Sequence, residues 1–401
     1  MTQRLYYDDA YLTRFDAVVT SCVEVDSVWR VRLDRSAFYP TSGGQPFDTG
    51  TLGDAKVLDV FVDEDHDVVH VVDRPLDVGS AVHCEIDWPR RFDHMQQHAG
   101  DHMIASAIWR LLGGVTIGLH ISQEVSTIDV AMPEGVTRLS AEDIRRIEDD
   151  VNLRIQRDVP VRCWFPEPAE LKALPLRKPP TVEEHVRIVA IGDDEMVACG
   201  GTHPSSAGQL GLVKIVGTAS ARGKMRVSFL AGRRAYDDYR RHYDCAQAAS
   251  NLLSTSVDNL PGHVAALQTA LKNAEFALGR LKREDALRRL EQDIEAAPVL
   301  PCGTRVIARM LEGDINLIKD AASELIKRPG IVALLGVEAE TGRCMFVFAR
   351  SQDVELHMGR LLSDAAKPLG GKGGGRPDFA QGGGPKAILE AVLASLTGQD
   401  R

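Results

Sequence analysis

The sequence predicts a multidomain α+β protein, and three observations predict it. Its 401 residues exceed what one ordinary core organises. Residues 1 to about 90 carry short alternating or β-branched runs, after which the apolar periodicity turns helical. From 234 to 297 the chain is almost entirely helix-forming, and strand-like runs return after Pro298 and Pro301. The expected divisions are therefore 1–90, 91–233, 234–297 and 298–401.

In the first division, "DAVVTSCVEV", "VWRVRLD", "AKVLDVFV", "DVVHVVD" and "SAVHCEID" read as strands. They are punctuated by Gly- and Asp-rich turns, a spacing that suggests a small barrel or sandwich. The glycines of "YPTSGGQPFDTG" mark a tight loop where backbone can approach another group closely.

The second division opens on "WPRRFDHMQQHAGDHMIASAIWRLLGG". Met95, His98, His102, Ala105, Ile108, Trp109 and Leu112 fall at helical spacing, and Gly113-Gly114 is a stop signal. A second helix is expected after Ser140, with acidic residues in its first turn and a stripe of Ile144, Ile147, Val151 and Ile155. "STIDVAM", "VPVRCWF", "VRIVAIG", "GLVKIVGT" and "MRVSFLAG" read as strands, so 91–233 is an α+β domain with one sheet and two long helices.

In the third division Val264, Leu267, Leu271, Ala274, Leu278 and Leu281 form a short heptad seam that lapses around "KREDA". An αα-hairpin, a dimerising helix and a helix packed on its own domain all fit it. The last division alternates strands ("TRVIARML", "IVALLGVEA", "CMFVFARS") with helices, and holds the glycine-rich loop "GGKGGGRPDFAQGGG" at 370–384.

Composition narrows the class. Hydrophobic residues at 44% and charged residues at 26% are those of a globular protein. No apolar run reaches membrane-spanning length and "MTQRLYYDDAYLTRF" has no signal pattern, so a cytoplasmic location is expected. Seven scattered cysteines without a CxxC pair argue against a disulfide framework. The net charge of -10 excludes a protein that coats nucleic acid non-specifically. Local basic patches stay open at doublets such as Arg90-Arg91, Arg233-Arg234 and Arg240-Arg241, which also read as solvated helix faces.

Two pairs of residues carry the chemistry. His94, His98 and His102 follow at four-residue spacing, so neighbours in that series share a helix face and two of them can reach one ion. Such a pair alone is weak evidence. About a hundred residues later, "ACGGTHPSS" places Cys199 and His203 four apart around two glycines, better read as a tight loop than as helix. One thiolate and three imidazoles form a standard zinc set.

"HAGDHM", "CGGTH", "FYPTSGGQPFDTG" and "GGGRPDFAQGGG", in their order along the chain, resemble the editing half of alanyl-tRNA synthetase. They equally resemble its free-standing relatives, the alanyl-tRNA editing proteins of the long type, without the aminoacylation domain. The resemblance implies a Gly-motif β-barrel (1–90), a zinc-binding editing domain (91–233), a helical or coiled-coil linker (234–297) and a C-terminal α/β DHHA1-like domain (298–401). It implies Zn2+ held by His98, His102, Cys199 and His203, leaving His94 as a supporting or substrate-side group. Gln45 matches a glutamine lining the editing pocket, and Arg226 an arginine near the substrate. Asp101 departs from the family, where threonine usually precedes the second histidine; it is expected to recognise the aminoacyl ammonium, act as a base, or face solvent. Gln45, Asp101 and a labile His203 are the expected catalytic groups.

The function so implied is zinc-dependent hydrolysis of the aminoacyl ester on tRNA(Ala) mischarged with serine or glycine. Lys372 and Arg376, among glycine N–H groups, are the expected tRNA contacts of the last domain, with close packing as the competing reading. A homodimer through the linker or the last domain is a further expectation. Two other functions compete: a zinc hydrolase of another ester or amide, and a tRNA-binding or dimerising module with structural zinc. Nucleotide hydrolysis is not expected, since GxxxxGK[ST] is unmet, and no Asp-His-His motif supports a phosphoesterase.

Overall fold

The computed structural model describes residues 1–180, 184–221, 223–338 and 342–398. The chain divides into two compact units, Met1–Ala248 and Ala249–Arg401.

The first unit begins with β1 (Gln3–Arg4), β2 (Arg14–Val25), β3 (Val28–Leu33), β4 (Arg35–Ser36), β5 (Gly50–Leu52), β6 (Ala55–Val62), β7 (Val68–Val72) and β8 (Ala81–Ile86). β1 pairs in parallel with β4, and the other six close a barrel in the order β2-β3-β7-β6-β5-β8. The alternation dictates which face turns inward: in β2, Phe15, Ala17 and Val19 are buried while Asp16 and Val18 are exposed. Asp26 and Ser27 join β2 to β3 with φ of 52° and 64°, the mirror-image turn whose twist matches the strands. Of the two architectures expected, the barrel forms.

A buried ion pair ties this barrel to the next helix, α1 (Trp88–Leu112). Arg91 and Asp48 are both fully buried. Arg91 Nε donates to Asp48 Oδ2 (2.9 Å), and its other nitrogens donate to the carbonyls of Ala10 (2.8 Å) and Ala37 (2.5 Å). Asp48 also accepts from the Tyr39 amide at 2.6 Å.

α1 starts at the N-cap Asp87, with Pro89 in its first turn, and ends at Gly113 in the left-handed region (φ 71°). After it come β9 (Val115–His120), β10 (Ser126–Ala131), α2 (Ala141–Gln156), β11 (Val161–Trp164), α3 (Pro168–Ala173), β12 (Ile188–Ile191), β13 (Glu195–Ala198), β14 (Val213–Ala221), β15 (Lys224–Ala231) and α4 (Arg233–Leu252). A Ser140/Asp143 capping box opens α2 as its sequence predicts. Two sheets replace the one expected: β14-β15-β10-β9 and β11-β12-β13. β9 ("VTIGLH") and β13 ("EMVA") are the strands not read from the sequence, and each joins a different one of the two sheets. Residues 94–108 of α1 are buried almost without interruption, among them Met103, Ile104 and Ile108 in a core shared with Ile147, Val227 and Phe229.

The second unit holds α5 (Leu260–Ala296), β16 (Arg305–Leu311), α6 (Ile315–Leu325), β17 (Ile331–Glu338), β18 (Cys344–Arg350), α7 (Met358–Ala366), β19 (Lys372–Gly375), β20 (Phe379–Gly384) and α8 (Ala387–Thr397). Its sheet runs β16-β17-β18-β20-β19, with only β16 and β17 parallel. α5 is one helix of 37 residues, unbroken where the heptad register lapses.

The glycine-rich stretch is not an open loop. It forms the antiparallel hairpin β19–β20, and β20 lies between β18 and β19, so its amides serve two ladders instead of an anion cradle. Glycine is needed for packing: a Cβ on Gly359 of α7 would collide with the Gly375 carbonyl, and one on Gly373 would meet Leu362 Cγ at 2.7 Å. Among the described residues no helix is long and apolar enough to cross a membrane.

Candidate metal centre

α1 supplies His98 and His102 one turn apart, and the loop after β13 supplies Cys199 and His203. The ligand-type atoms of these four side chains all lie within 4.8 Å of one another. Cys199 Sγ is 3.4 Å from His98 Nε2 and 3.3 Å from His203 Nε2. Segments a hundred residues apart thus meet where one ion can be shared. His98, His102 and His203 are each at most 4% exposed.

Each imidazole needs one nitrogen free as ligand, and the partner of the other nitrogen decides which. His98 Nδ1 donates to Gln45 Oε1 at 2.8 Å, which leaves Nε2 facing the thiolate. Gln45 is itself fixed, since its Nε2 donates to Thr202 Oγ1 (2.8 Å) and its Oε1 also accepts from the Thr202 amide (3.2 Å). Gln45 is wholly buried and both ends of its amide are spent. It therefore orients a histidine, a use the sequence expectation of a pocket lining does not include.

Glu195 stands behind His102, with Oε1 3.6 Å from Nδ1, an ion-pair distance longer than a hydrogen bond. This carboxylate is 1% exposed and is clamped by Arg177, whose Nε lies 2.9 Å from Oε2 and whose Nη1 donates to Thr116 Oγ1 at 2.7 Å. Burial alone would raise the Glu195 pKa, yet His102 and Arg177 hold it below the usual carboxylate range. The Nδ1 atoms of His102 and His203 both lack a hydrogen-bond partner, but His102 Nδ1 faces the Glu195 carboxylate while His203 is in no ion pair among the described residues, which makes His203 the least anchored of the three.

Electrostatics favour the ligating forms of Cys199 and His203. At His102, by contrast, burial is outweighed by the Cys199 thiolate and Glu195, which push its pKa up to about 10, so an ion binding there must displace that proton. Burial opposes ionisation of Cys199, but His98, His102 and His203 outweigh it and hold the thiol well below its ordinary pKa. Burial also holds His203 toward the neutral imidazole a metal requires. The soft sulfur of half-buried Cys199 and the nitrogens of three buried imidazoles fit zinc.

The "CGGTH" loop is held by Arg187, whose Nη1 donates to the carbonyls of Cys199 (3.1 Å) and Gly201 (2.8 Å). The two glycines are not equivalent. A Cβ on Gly200 would meet only the Tyr7 hydroxyl, at 3.5 Å, whereas one on Gly201 would overlap the His98 ring and crowd Gln45 Oε1 at 3.0 Å. Gly201→Ala is therefore expected to weaken metal binding at least ~10-fold, the scale of a lost supporting contact, and Gly200→Ala to leave it unchanged. Competition with a chromophoric chelator checks both.

Asp101 is 6% exposed with Oδ1 unpartnered, so the solvent-facing alternative does not hold. Burial raises its pKa against the opposing pull of His102 and His98. Arg226 lies on β15 with its guanidinium gripped by Asp129 (2.7 and 2.9 Å). In the second unit Lys372 is exposed and Arg376 pairs with Asp378 at 3.4 Å. Glu195, Arg177, Thr202 and Arg187 are the site residues sequence reasoning missed. A charged residue buried within a strand, as Glu195 is in "EMVA", leaves no mark on the periodicity of so short an element.

The threonyl and alanyl tRNA synthetase second additional domain matches residues 186–228, and the DHHA1 domain matches 303–398. The alanine–tRNA ligase of Halorubrum lacusprofundi is 32% identical over 398 residues, covering 96% of this chain and 42% of that protein. The same enzyme of Pyrococcus abyssi is 32% identical, covering 95% and 42%. That of Methanothrix thermoacetophila is 33% identical, covering 98% and 44%. The chain thus spans about two-fifths of the length of these relatives. The crystal structure of the C-Ala domain from Aquifex aeolicus alanyl-tRNA synthetase aligns with a TM-score of 0.23 and 21% identity, over 25% of this chain and 96% of that one.

Proposed function

From the premise that this chain is built on the second additional domain of the threonyl and alanyl tRNA synthetases and a DHHA1 domain, and matches alanine–tRNA ligases along nearly its whole length, we propose that it is a zinc-dependent deacylase. It would hydrolyse the aminoacyl ester of tRNA(Ala) mischarged with serine, and with glycine. The observation that carries this reading is the convergence of His98, His102, Cys199 and His203 within 4.8 Å. When bound, zinc would supply Lewis acidity, polarising the ester carbonyl and making a nearby water nucleophilic near neutral pH.

The chain's own residues do the rest. Gln45 and Glu195 hold His98 and His102 in place, and Cys199 contributes its thiolate. Four protein ligands describe a closed site, while hydrolysis needs an open position. We assign the labile position to His203, whose Nδ1 has neither the amide oxygen that accepts from His98 nor the carboxylate that lies 3.6 Å from His102. Asp101, buried with an unpartnered oxygen, would read the aminoacyl ammonium or the serine hydroxyl. An apolar pocket rejects a hydroxyl-bearing analogue poorly, so a second site that selects for the hydroxyl is what removal of serine demands.

Incubation with Ser-, Gly- and Ala-tRNA(Ala), with and without chelator, tests the proposal. Release of serine but not alanine, abolished by chelator and restored by zinc, is expected. Intact binding without release would favour a structural zinc, which four protein ligands also suit. Equal cleavage of small esters would favour a different substrate.

Two finer assignments belong with this reading. Lys372 and Arg376, beside the glycine hairpin, are proposed as tRNA contacts of the DHHA1 domain. The α5 seam is proposed to pair with a second copy. Val264, Leu267, Leu271, Leu278 and Leu281 are between 45% and 61% exposed, and in antiparallel register Val264 faces Leu281, Leu267 faces Leu278, and Leu271 faces Ala274. Sedimentation should give twice the 43.8 kDa chain mass, and Leu271→Glu with Leu278→Glu should reduce it to one chain. A single-chain mass for the unsubstituted protein would contradict the pairing.

A further inference from the structure

The row of side chains that holds the metal does not stop at His98. Arg90, His94, His98 and His102 follow at four-residue spacing along one face of α1. The segment after Gln45 accompanies that face. Gln45 meets His98, and two residues on, the Phe47 carbonyl accepts from Arg90 Nε at 3.0 Å while its ring lies 5.2 Å beneath the guanidinium. Among the described residues Arg90 is in no ion pair. From α4, Arg234 closes the other flank, held to Asp93 at 2.6 Å and donating to the Ser122 carbonyl at 2.8 Å.

His94 sits amid this group. It is 3% exposed and its Nδ1 has no hydrogen-bond partner. Burial first, then the charges of Arg90, Arg234 and Arg91, keep its imidazole neutral. A buried ring nitrogen seldom stays unpaired in a folded protein without a ligand or water to serve it. One helical turn from the metal ligands, a neutral imidazole can exchange a hydrogen bond with a hydroxyl, and the adjoining uncompensated guanidinium suits a phosphate.

We propose that His94 and Arg90 form the subsite for the last nucleotide of an RNA acceptor end, His94 Nδ1 bonding a ribose hydroxyl beside the ester and Arg90 its phosphate. The placement of the ester at the metal rests on the deacylase reading; recognition of the terminal nucleotide does not require turnover. His94 would then serve the substrate and not the ion.

The experiment compares equilibrium binding of uncharged tRNA(Ala) ending in CCA with the same RNA lacking its final adenosine, using the full chain loaded with zinc. The unsubstituted protein should bind the intact end at least ~10-fold more tightly, the scale of a charge-assisted contact with its neighbour. His94→Ala and Arg90→Ala should each bring the ratio to within about twofold of unity at full zinc content, and His94→Gln offers a second variant if alanine unsettles the helix. No preference in the unsubstituted protein, persistence of the preference in both variants, or loss of zinc with His94→Ala would overturn the proposal. If no serine is released but the preference exists and vanishes in the variants, the subsite stands and the deacylase reading falls. If serine is released and the variants keep the preference, the reverse holds.

Discussion

Cys199→Ala is expected to empty the metal centre and to lower serine release from Ser-tRNA(Ala) at least ~10³-fold, equivalent to the several kcal/mol of charge stabilisation a Lewis acid supplies. The reason is geometric as well as chemical. Cys199 Sγ contacts two of the imidazoles, accepts the Gly201 amide at 3.3 Å, and is the anion that brings three imidazoles together. His203→Ala should differ in kind. With neither a hydrogen bond nor a facing carboxylate at its Nδ1, His203 is the ligand whose loss leaves the most of the site intact, so zinc should remain at weakened affinity while turnover falls. Metal analysis of the two variants, dialysed side by side, separates these outcomes. Equal loss of zinc from both would remove His203 from its assigned labile role.

Asp48→Ala is expected to destabilise the first unit by about 3–5 kcal/mol, because it leaves the Arg91 guanidinium buried without its counter-charge. Two carbonyls would still accept from Arg91, but neither neutralises it. The paired replacement Asp48→Leu with Arg91→Met should recover most of that loss, since a buried ion pair exchanged for apolar groups of similar size is often near neutral. Urea unfolding followed by barrel fluorescence measures both. A loss below about 1 kcal/mol in Asp48→Ala would mean that water reaches the pair.

Much of this architecture was legible in the residues. β2 alternates in the chain as it alternates in the barrel, and α1 begins at an aspartate with a following proline and ends at a glycine, as capping chemistry requires. The two ligand pairs stood out because His98/His102 and Cys199/His203 each obey a local spacing. The supporting residues obey none. Glu195 reaches His102 from 93 positions away in sequence, and Arg177 reaches Glu195 only because the chain between them returns through β12. The stretch at 370–384 was obscure for a different reason: glycine has no side chain to alternate, so a hairpin written in glycine shows no period of two.

X-ray absorption at the zinc edge tests the central claim most directly. One sulfur at about 2.3 Å and two or three nitrogens at about 2.0–2.1 Å, at one zinc per chain, is the shell these four side chains would build. A shell without sulfur, or a protein that retains no stoichiometric zinc after dialysis, would contradict it.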